Sequence, residues 1–269
     1  MGTLVRASTH AKAHQRAAQT ASVAHFSMRV AVISDIHSNL HALEAVLADI
    51  EREAPDEIWC LGDVVGYGPR PNECVDLARE RARLSLCGNH DLAVIGTIDV
   101  ADFSGDAGAA ALWTRTVLGE EQAAWLRTLA PQAVQPGVEL FHGSPRDAVW
   151  DYVLTEHIAL ISLLETEAPV VLVGHSHVAL GIGWDGSSLL GGLAPAGTEI
   201  DLTGRRWLLN PGSVGQPRDG DPRAAWLLIE VDAGRAAFRR VPYPIERTQA
   251  EIRERGLPDA LAARLAHGV

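Results

Sequence analysis

The sequence predicts an α/β protein in which two mixed β-sheets pack together with helices outside. Three observations lead there. The chain from Arg29 onward alternates short apolar runs with helical patterns in a β-α-β-α-β order, which favours parallel strand pairing. Beyond about residue 178 the pattern changes to a succession of short strands. Five polar motifs each follow a predicted strand directly, at the end where α/β sheets carry their functional crevice.

Taken in order, Arg29–Ser34 is a continuous apolar run, the signature of a strand buried on both faces. Leu40, Leu43, Val46, Leu47 and Ile50 then recur at helical spacing, with Ser38 or Asn39 suited to cap the helix. Glu57–Leu61 is the second strand, followed by the turn-rich segment Gly62–Pro71, a helix to about Ala82, and a third strand over Arg83–Cys87. Residues 91–130 read as mostly helical, most clearly over Ala107–Val117 and Glu120–Leu129. Val138–Phe141 is a strand, Thr155–Glu167 a helix and Pro169–Val173 a strand. Short strands follow at Val178–Trp184, Thr198–Leu202, Arg206–Leu209, Ala224–Val231 and Arg235–Val241. Gly186–Gly197 reads as an exposed loop or hairpin end, and a helix over Glu246–His267 closes the chain.

Residues 28–269 are expected to form a single domain, a size at which one large core is ordinary. Residues 1–27 lack clear periodicity and the apolar core of a secretory signal. They read as a disordered leader or a mis-called start, with Met28 the natural one; an organelle transit peptide is the alternative. The leader carries Arg6, Lys12 and Arg16 and no acid, so the net charge of −11 becomes −14 for residues 28–269. A domain this acidic repels polyphosphate backbones, which argues against long nucleic acid and leaves a small phosphate ester open. No apolar run reaches the roughly 20 residues that span a bilayer. Cys60, Cys74 and Cys87 form no CxxC pair and read as buried small hydrophobes, which points to a reducing, cytoplasmic compartment. Nothing in the sequence specifies an oligomeric state.

The strand-end motifs are Asp35-Ile36-His37, Gly62-Asp63, Gly88-Asn89-His90-Asp91, His142-Gly143 and Gly174-His175-Ser176-His177. Carboxylates can bridge two cations about 3.5–4 Å apart, and a mixed oxygen and imidazole shell suits Mn²⁺, Fe²⁺, Zn²⁺ or Ni²⁺ better than Mg²⁺. In an extended turn the i, i+2 spacing of Asp35 and His37 would aim both side chains the same way, and His175 and His177 repeat it. Asn89 adds a neutral oxygen ligand. His10, His14, His25, His41, His157 and His267 stand outside the motifs and are read as ordinary histidines.

These motifs resemble the DxH, GD, GNH, later His and GHxH pattern of calcineurin-like metallophosphoesterases, over residues 29–218. The resemblance implies the metallo-dependent phosphatase fold, a four-layer αββα sandwich of two mixed sheets flanked by helices. It implies two divalent metal ions, Mn²⁺ or Fe²⁺ by preference with Zn²⁺ and Ni²⁺ as alternatives. Asp35, His37 and His177 would hold one ion, Asn89, His142 and His175 the other, and Asp63 would bridge them. A hydroxide shared by the metals would attack phosphorus in line. His90 would contact the phosphate, as Asn89 would too, and protonate the leaving oxygen as general acid. Asp91 would orient His90 or cap the following helix. Gly66-Tyr67-Gly68-Pro69 is at minimum a tight turn, and resembles a GYGP loop of one bacterial and archaeal branch that would put Tyr67 near the substrate. Asn210–Arg218 resembles the same branch's NPGSVGxPR loop; Arg218 would clamp a phosphate oxygen or pair with Asp219 or Asp221.

The absence of the GDxVDRG and GNHE motifs argues against a dedicated protein phosphatase. The implied activity is hydrolysis of a small phosphodiester or phosphomonoester, diesters favoured. A dinucleoside polyphosphate or nucleotide hydrolase is a narrower alternative. A non-catalytic protein-binding scaffold, as in the retromer subunit that resembles this family, is the alternative from another class. Scaffolds of that kind tend to lose the catalytic histidine or a ligand, whereas every position is present here.

Overall fold

Strand β1 (Arg29–Ile33) shows how the layers arise, because its side chains alternate between two destinations. Val30 and Val32 join an apolar cluster with Trp59, Val138, Leu140, Leu172 and Leu209, whereas Ala31 and Ile33 join one with Leu43, Val46 and Ile50 of helix α1 (Leu40–Glu53). One face therefore meets a second sheet and the other meets helices, so both faces must be apolar. The computed structural model describes residues 28–103 and 105–269; the expected leader, residues 1–27, lies outside the described residues.

The first sheet contains β1, β2 (Glu57–Cys60), β3 (Leu84–Ser85), β9 (Glu199–Asp201), β11 (Ala224–Glu230) and β12 (Arg235–Val241), in the order β3-β2-β1-β11-β12-β9. Strands β1, β2 and β3 run parallel, and β11, β12 and β9 add antiparallel neighbours. The second sheet contains β4 (Gln132–Gln135), β5 (Val138–Phe141), β6 (Val170–Val173), β7 (Leu180–Trp184), β8 (Leu189–Leu193) and β10 (Arg206–Asn210), in the order β4-β5-β6-β10-β7-β8. Here β5, β6 and β10 are parallel. Helix α1 and α2 (Pro71–Arg81) cover the first sheet, and α6 (Glu156–Leu164) covers the second through Ala159 and Leu163. The result is the expected αββα sandwich of two mixed sheets.

Local chemistry sets the ends. The Asn39 side chain accepts from the Ala42 amide and caps α1, as its sequence position suggests. The expected third strand shrinks to Leu84–Ser85, because beyond it the Cys87 amide turns away to the Ala130 carbonyl at 3.0 Å. The predicted closing helix is interrupted: α7 (Ile245–Glu254) stops before Gly256, whose φ is +71°, and α8 (Asp259–Ala263) restarts after Pro258. Strand β4 was not anticipated; as a half-exposed antiparallel edge it carries little apolar signal. No helix among the described residues is long and apolar enough to cross a membrane.

The inter-sheet core bears the stability of this arrangement. Leu172 is fully buried there, so Leu172→Ala is expected to destabilise the protein by about 2–5 kcal/mol. A urea unfolding midpoint shifted by less than about 0.5 kcal/mol equivalent would contradict that packing.

Candidate metal centre

Because β1, β2 and β3 are mutually parallel, as are β5, β6 and β10, each set delivers its following loops to one edge of its sheet. Asp35 and His37 follow β1, Asp63 follows β2, and Asn89 and His90 open the short helix α3 (Asn89–Val94) after β3. His142 follows β5, His175 and His177 follow β6, and the Asn210–Arg218 loop follows β10. The two loop sets meet: Asp35, His37, Asp63 and His177 form one buried group of potential ligands, and Asp63, His142 and His175 a second. Asp63 belongs to both.

The backbone reaches this convergence by a route other than an extended turn. Asp35, His37, Asp63, Tyr67, His175 and His177 all have φ between +49° and +60°, the left-handed region. Tertiary hydrogen bonds hold them there: the Asp35, His37 and Ser38 amides donate to the carbonyls of Gly62, Asp63 and Val64 at 2.9–3.0 Å. Gly88 is required for closeness, since a Cβ there would lie 2.1 Å from Asp63 Oδ1 and 2.5 Å from His142 Cε1. Gly66, at φ +94°, leaves the space that His90 Nδ1 occupies, 2.5 Å from where its Cβ would be.

Three imidazoles are oriented by backbone carbonyls. His37 Nδ1 faces the Val65 carbonyl at 3.2 Å, His142 Nδ1 the Leu61 carbonyl at 2.9 Å and His177 Nδ1 the Gln216 carbonyl at 2.6 Å. A carbonyl only accepts, so each Nδ1 carries the hydrogen and each Nε2 presents a lone pair. These Nε2 atoms point inward. Those of His37 and His177 stand 3.0 Å apart, and that of His142 is 3.2 Å from Asn89 Oδ1. His175 Nε2 is buried without a partner among the described residues.

The carboxylates complete the picture. Asp35 Oδ2 accepts from the His175 amide at 3.1 Å, but its Oδ1 is buried and bare, 3.3 Å from His177 Nε2. Asp63 Oδ1 accepts from the His90 amide at 2.9 Å. Its Oδ2 is likewise buried and bare, 3.6 Å from His37 Nε2 and 3.5 Å from His142 Nε2. Buried polar atoms are normally paired, and unpaired buried carboxylate oxygens facing unprotonated imidazole nitrogens are the donor set that divalent cations accept. The residues fit a metal pair with Asp63 between.

Burial dominates the electrostatics. It pushes Asp35 up to about 7 and raises Asp63 well above the usual carboxylate range, with the neighbouring Asp91 charge adding to the second shift. Burial holds His37, His90 and His177 well below the usual imidazole range and takes His175 down to about 2. These four imidazoles are thus neutral, with lone pairs free, and the Arg218 charge only partly offsets the cost of burying the two carboxylates.

Asp91 takes a structural place. Its carboxylate accepts from the Gly88, Val64 and Val65 amides at 3.0–3.3 Å, capping α3 and bracing the Asp63 loop; this matches the cap of its two expected roles. Tyr67 lies inside the site, its ring 4.6 Å from His37 and 4.3 Å from His90. Arg218 Nη2 reaches the Tyr67 hydroxyl at 3.3 Å and Gln216 Oε1 at 3.0 Å. The acids that might have paired with Arg218 are engaged elsewhere: Asp219 with Arg240 and Asp221 with Arg223. Arg218 forms no salt bridge among the described residues.

Two residues that sequence reasoning passed over also organise the site. Asn210 Nδ2 donates to the Gly174 carbonyl at 2.7 Å and to Ser176 Oγ at 3.0 Å, and Ser213 Oγ donates to the Asp35 carbonyl at 2.7 Å. Both stand in the Asn210–Arg218 motif, the signal that could have found them. His41 bonds Glu251 at 3.2 Å, outside the cluster.

Comparison with known proteins agrees with the fold. A family model, the calcineurin-like phosphoesterase superfamily domain, matches residues 28–234. An uncharacterised protein of Methanocaldococcus jannaschii is 36% identical over 245 residues, covering 89% of this chain and 98% of the relative. The crystal structure of a metallophosphoesterase from Sphaerobacter thermophilus superposes with a TM-score of 0.83 at 45% identity, covering 90% of this chain and 100% of that one. A hypothetical protein from Pyrococcus horikoshii OT3 shares the fold at 20% identity, with a TM-score of 0.73 and coverage of 90% and 99%.

Since Asp35 is raised to about 7, below that pH a cation must displace its proton, and affinity for Mn²⁺ is expected to fall as pH drops from about 8 to about 6. The expected weakening approaches tenfold per pH unit for each proton displaced. Calorimetric titration of chelator-stripped protein, with proton release measured in two buffers, checks this. Affinity constant across that range would contradict it.

Proposed function

The chain belongs to the calcineurin-like phosphoesterase superfamily, and from that premise we propose that it is a dinuclear metal-dependent hydrolase of a small phosphodiester or phosphomonoester. The single observation that carries the proposal is Asp63 Oδ2, buried and bare between two groups of imidazole nitrogens. Asp35, His37, Asp63 and His177 would hold one cation, and Asp63, Asn89, His142 and His175 the other. Mn²⁺ or Fe²⁺ suits this mixed donor set best, with Zn²⁺ and Ni²⁺ as alternatives. When bound, such ions supply Lewis-acid stabilisation of phosphoryl charge and a water acidic enough to ionise near neutral pH.

The chain's own groups do the rest. Arg218, free of any carboxylate partner among the described residues, binds a non-bridging phosphate oxygen. Asn89, at the start of α3, orients the same group. His90 is neutral at rest because burial and the nearby Arg218 disfavour its imidazolium. An arriving phosphate anion reverses that balance, so that His90 takes up a proton from solvent as the substrate binds and delivers it to the departing alkoxide oxygen. Asp91 and Gly88 hold the loop that sets His90 and Asp63 in place. Diesters are favoured, as the resemblance of the Tyr67 and Arg218 loops to a phosphodiesterase-like branch implies. Three free, buried cysteines suit a reducing compartment, and we assign the cytoplasm.

Metal-stripped protein should regain hydrolysis of bis-p-nitrophenyl phosphate on addition of Mn²⁺, faster than of p-nitrophenyl phosphate. His90→Ala should lose about 10²–10⁴-fold on an alkyl ester, and less on a nitrophenyl ester whose phenolate leaves without a proton. No turnover on any ester with several metals would contradict the proposal and turn attention to a protein-binding scaffold.

A further inference from the structure

Contacts around the candidate metal centre run outward to three aromatic side chains, Phe103, Trp150 and Tyr152, that hydrolysis itself leaves without a part. Phe103 meets the His90 ring edge-on at 4.8 Å, and Trp150 lies 5.4 Å beyond Phe103. Tyr152 stacks on His175 at 3.9 Å with 22° between the planes, and Arg218 faces its hydroxyl. Arg218 then returns to Tyr67, against which His90 packs.

Simple exclusion of water does not account for this arrangement. Tyr152 is 44% exposed and Trp150 is half-buried, and neither joins the apolar clusters that pack the sheets and helices. Nor are the two rings on a slack loop. Ser144 Oγ donates to Asp151 at 2.6 Å, the Gly143 amide to the Ala148 carbonyl at 2.8 Å, and the Val149 and Trp150 amides to Asp147 Oδ1 at 2.9 and 3.1 Å. The segment that follows β5 thus carries one metal-site histidine, His142, at its start and two aromatic faces near its end, in fixed relation. Aromatic faces held in place beside a phosphate site favour a flat, uncharged partner, because stacking needs no further ordering of the protein and tightens binding by about tenfold or more per base.

We propose that Trp150 and Tyr152, backed by Phe103, form a subsite for a planar aromatic group carried by the phosphoester, either a nucleobase or a simple aryl ring. The subsite rests on the phosphoester reading above and narrows it to aromatic esters.

Equilibrium titration of the Mn²⁺-loaded full chain with paired probes tests this without relying on turnover. Adenosine 5′-monophosphate is compared with ribose 5-phosphate, and phenylphosphonate with methylphosphonate. The aromatic member is expected to bind at least tenfold tighter in the first pair. A matching gain in the second pair assigns any aryl ring, and its absence assigns the nucleobase. Trp150→Ala and Tyr152→Leu should each shrink the ratio to within about threefold; the wild-type pairs decide the matter even if a variant does not fold. Equal affinity within both pairs, or ratios that both folded variants preserve, overturns the subsite and leaves the phosphoester reading standing. Failure of all four probes to bind, with no ester turned over, overturns both.

Discussion

Two buried carboxylates, each with one oxygen left without a hydrogen bond among the described residues, set the terms for this molecule. Asp35 Oδ1 and Asp63 Oδ2 are buried, lack hydrogen bonds among the described residues, and face imidazole nitrogens 3.3–3.6 Å away. Ionised groups so placed cost several kcal/mol each unless something positive joins them. The surrounding chain is arranged to preserve that demand. Backbone amides take one oxygen of each carboxylate and leave the other, and carbonyls take Nδ1 of His37, His142 and His177 and leave Nε2. Among the described residues eight non-glycine positions have positive φ, and only Ala54 lies away from this site. Left-handed backbone at about 1–3 kcal/mol per residue would not persist without the loop-to-loop hydrogen bonds that enforce it.

The sandwich matters chiefly because it brings two such loop sets face to face. Each sheet alone supplies part of a ligand set; Asp63 from the first sheet reaches His142 from the second, and His177 from the second reaches Asp35 from the first. The inter-sheet core, with Trp59, Leu140, Leu172 and Leu209 in it, therefore fixes the distance between the two loop sets that form the candidate ligand cluster. Packing and chemistry are coupled through that one layer. Arg218, Tyr67, Phe103 and Tyr152 then set one cation and several uncharged faces beside the cluster, in a chain whose net charge is −11.

Much of this was legible in the residues. Buried parallel strands announce themselves as apolar runs, so β1, β2, β5 and β6 were read within a residue or two of their ends, and the polar motifs that follow them were read as one site. The family and the sandwich follow from those motifs. Other features were opaque for physical reasons. Strand β4 is half-exposed, and β3 pairs on one side only, so neither shows a full period. The left-handed turns at Asp35 and His37 depend on carbonyls of residues 62 and 63, which local sequence does not contain. Asp91 looked equally suited to orient His90, and its three amide partners depend on how two loops meet. The stacking of Tyr152 on His175 spans separate loops and carries no spacing signal.

The central claim is that Asp63 joins two cation positions into one centre, and anomalous scattering from crystals of the Mn²⁺-loaded protein tests it most directly. Two peaks about 3.5–4 Å apart, both within coordination distance of Asp63, with Asp35, His37 and His177 on one and Asn89, His142 and His175 on the other, are the predicted result. A single peak under saturating metal, or two peaks that do not share Asp63, would contradict the account.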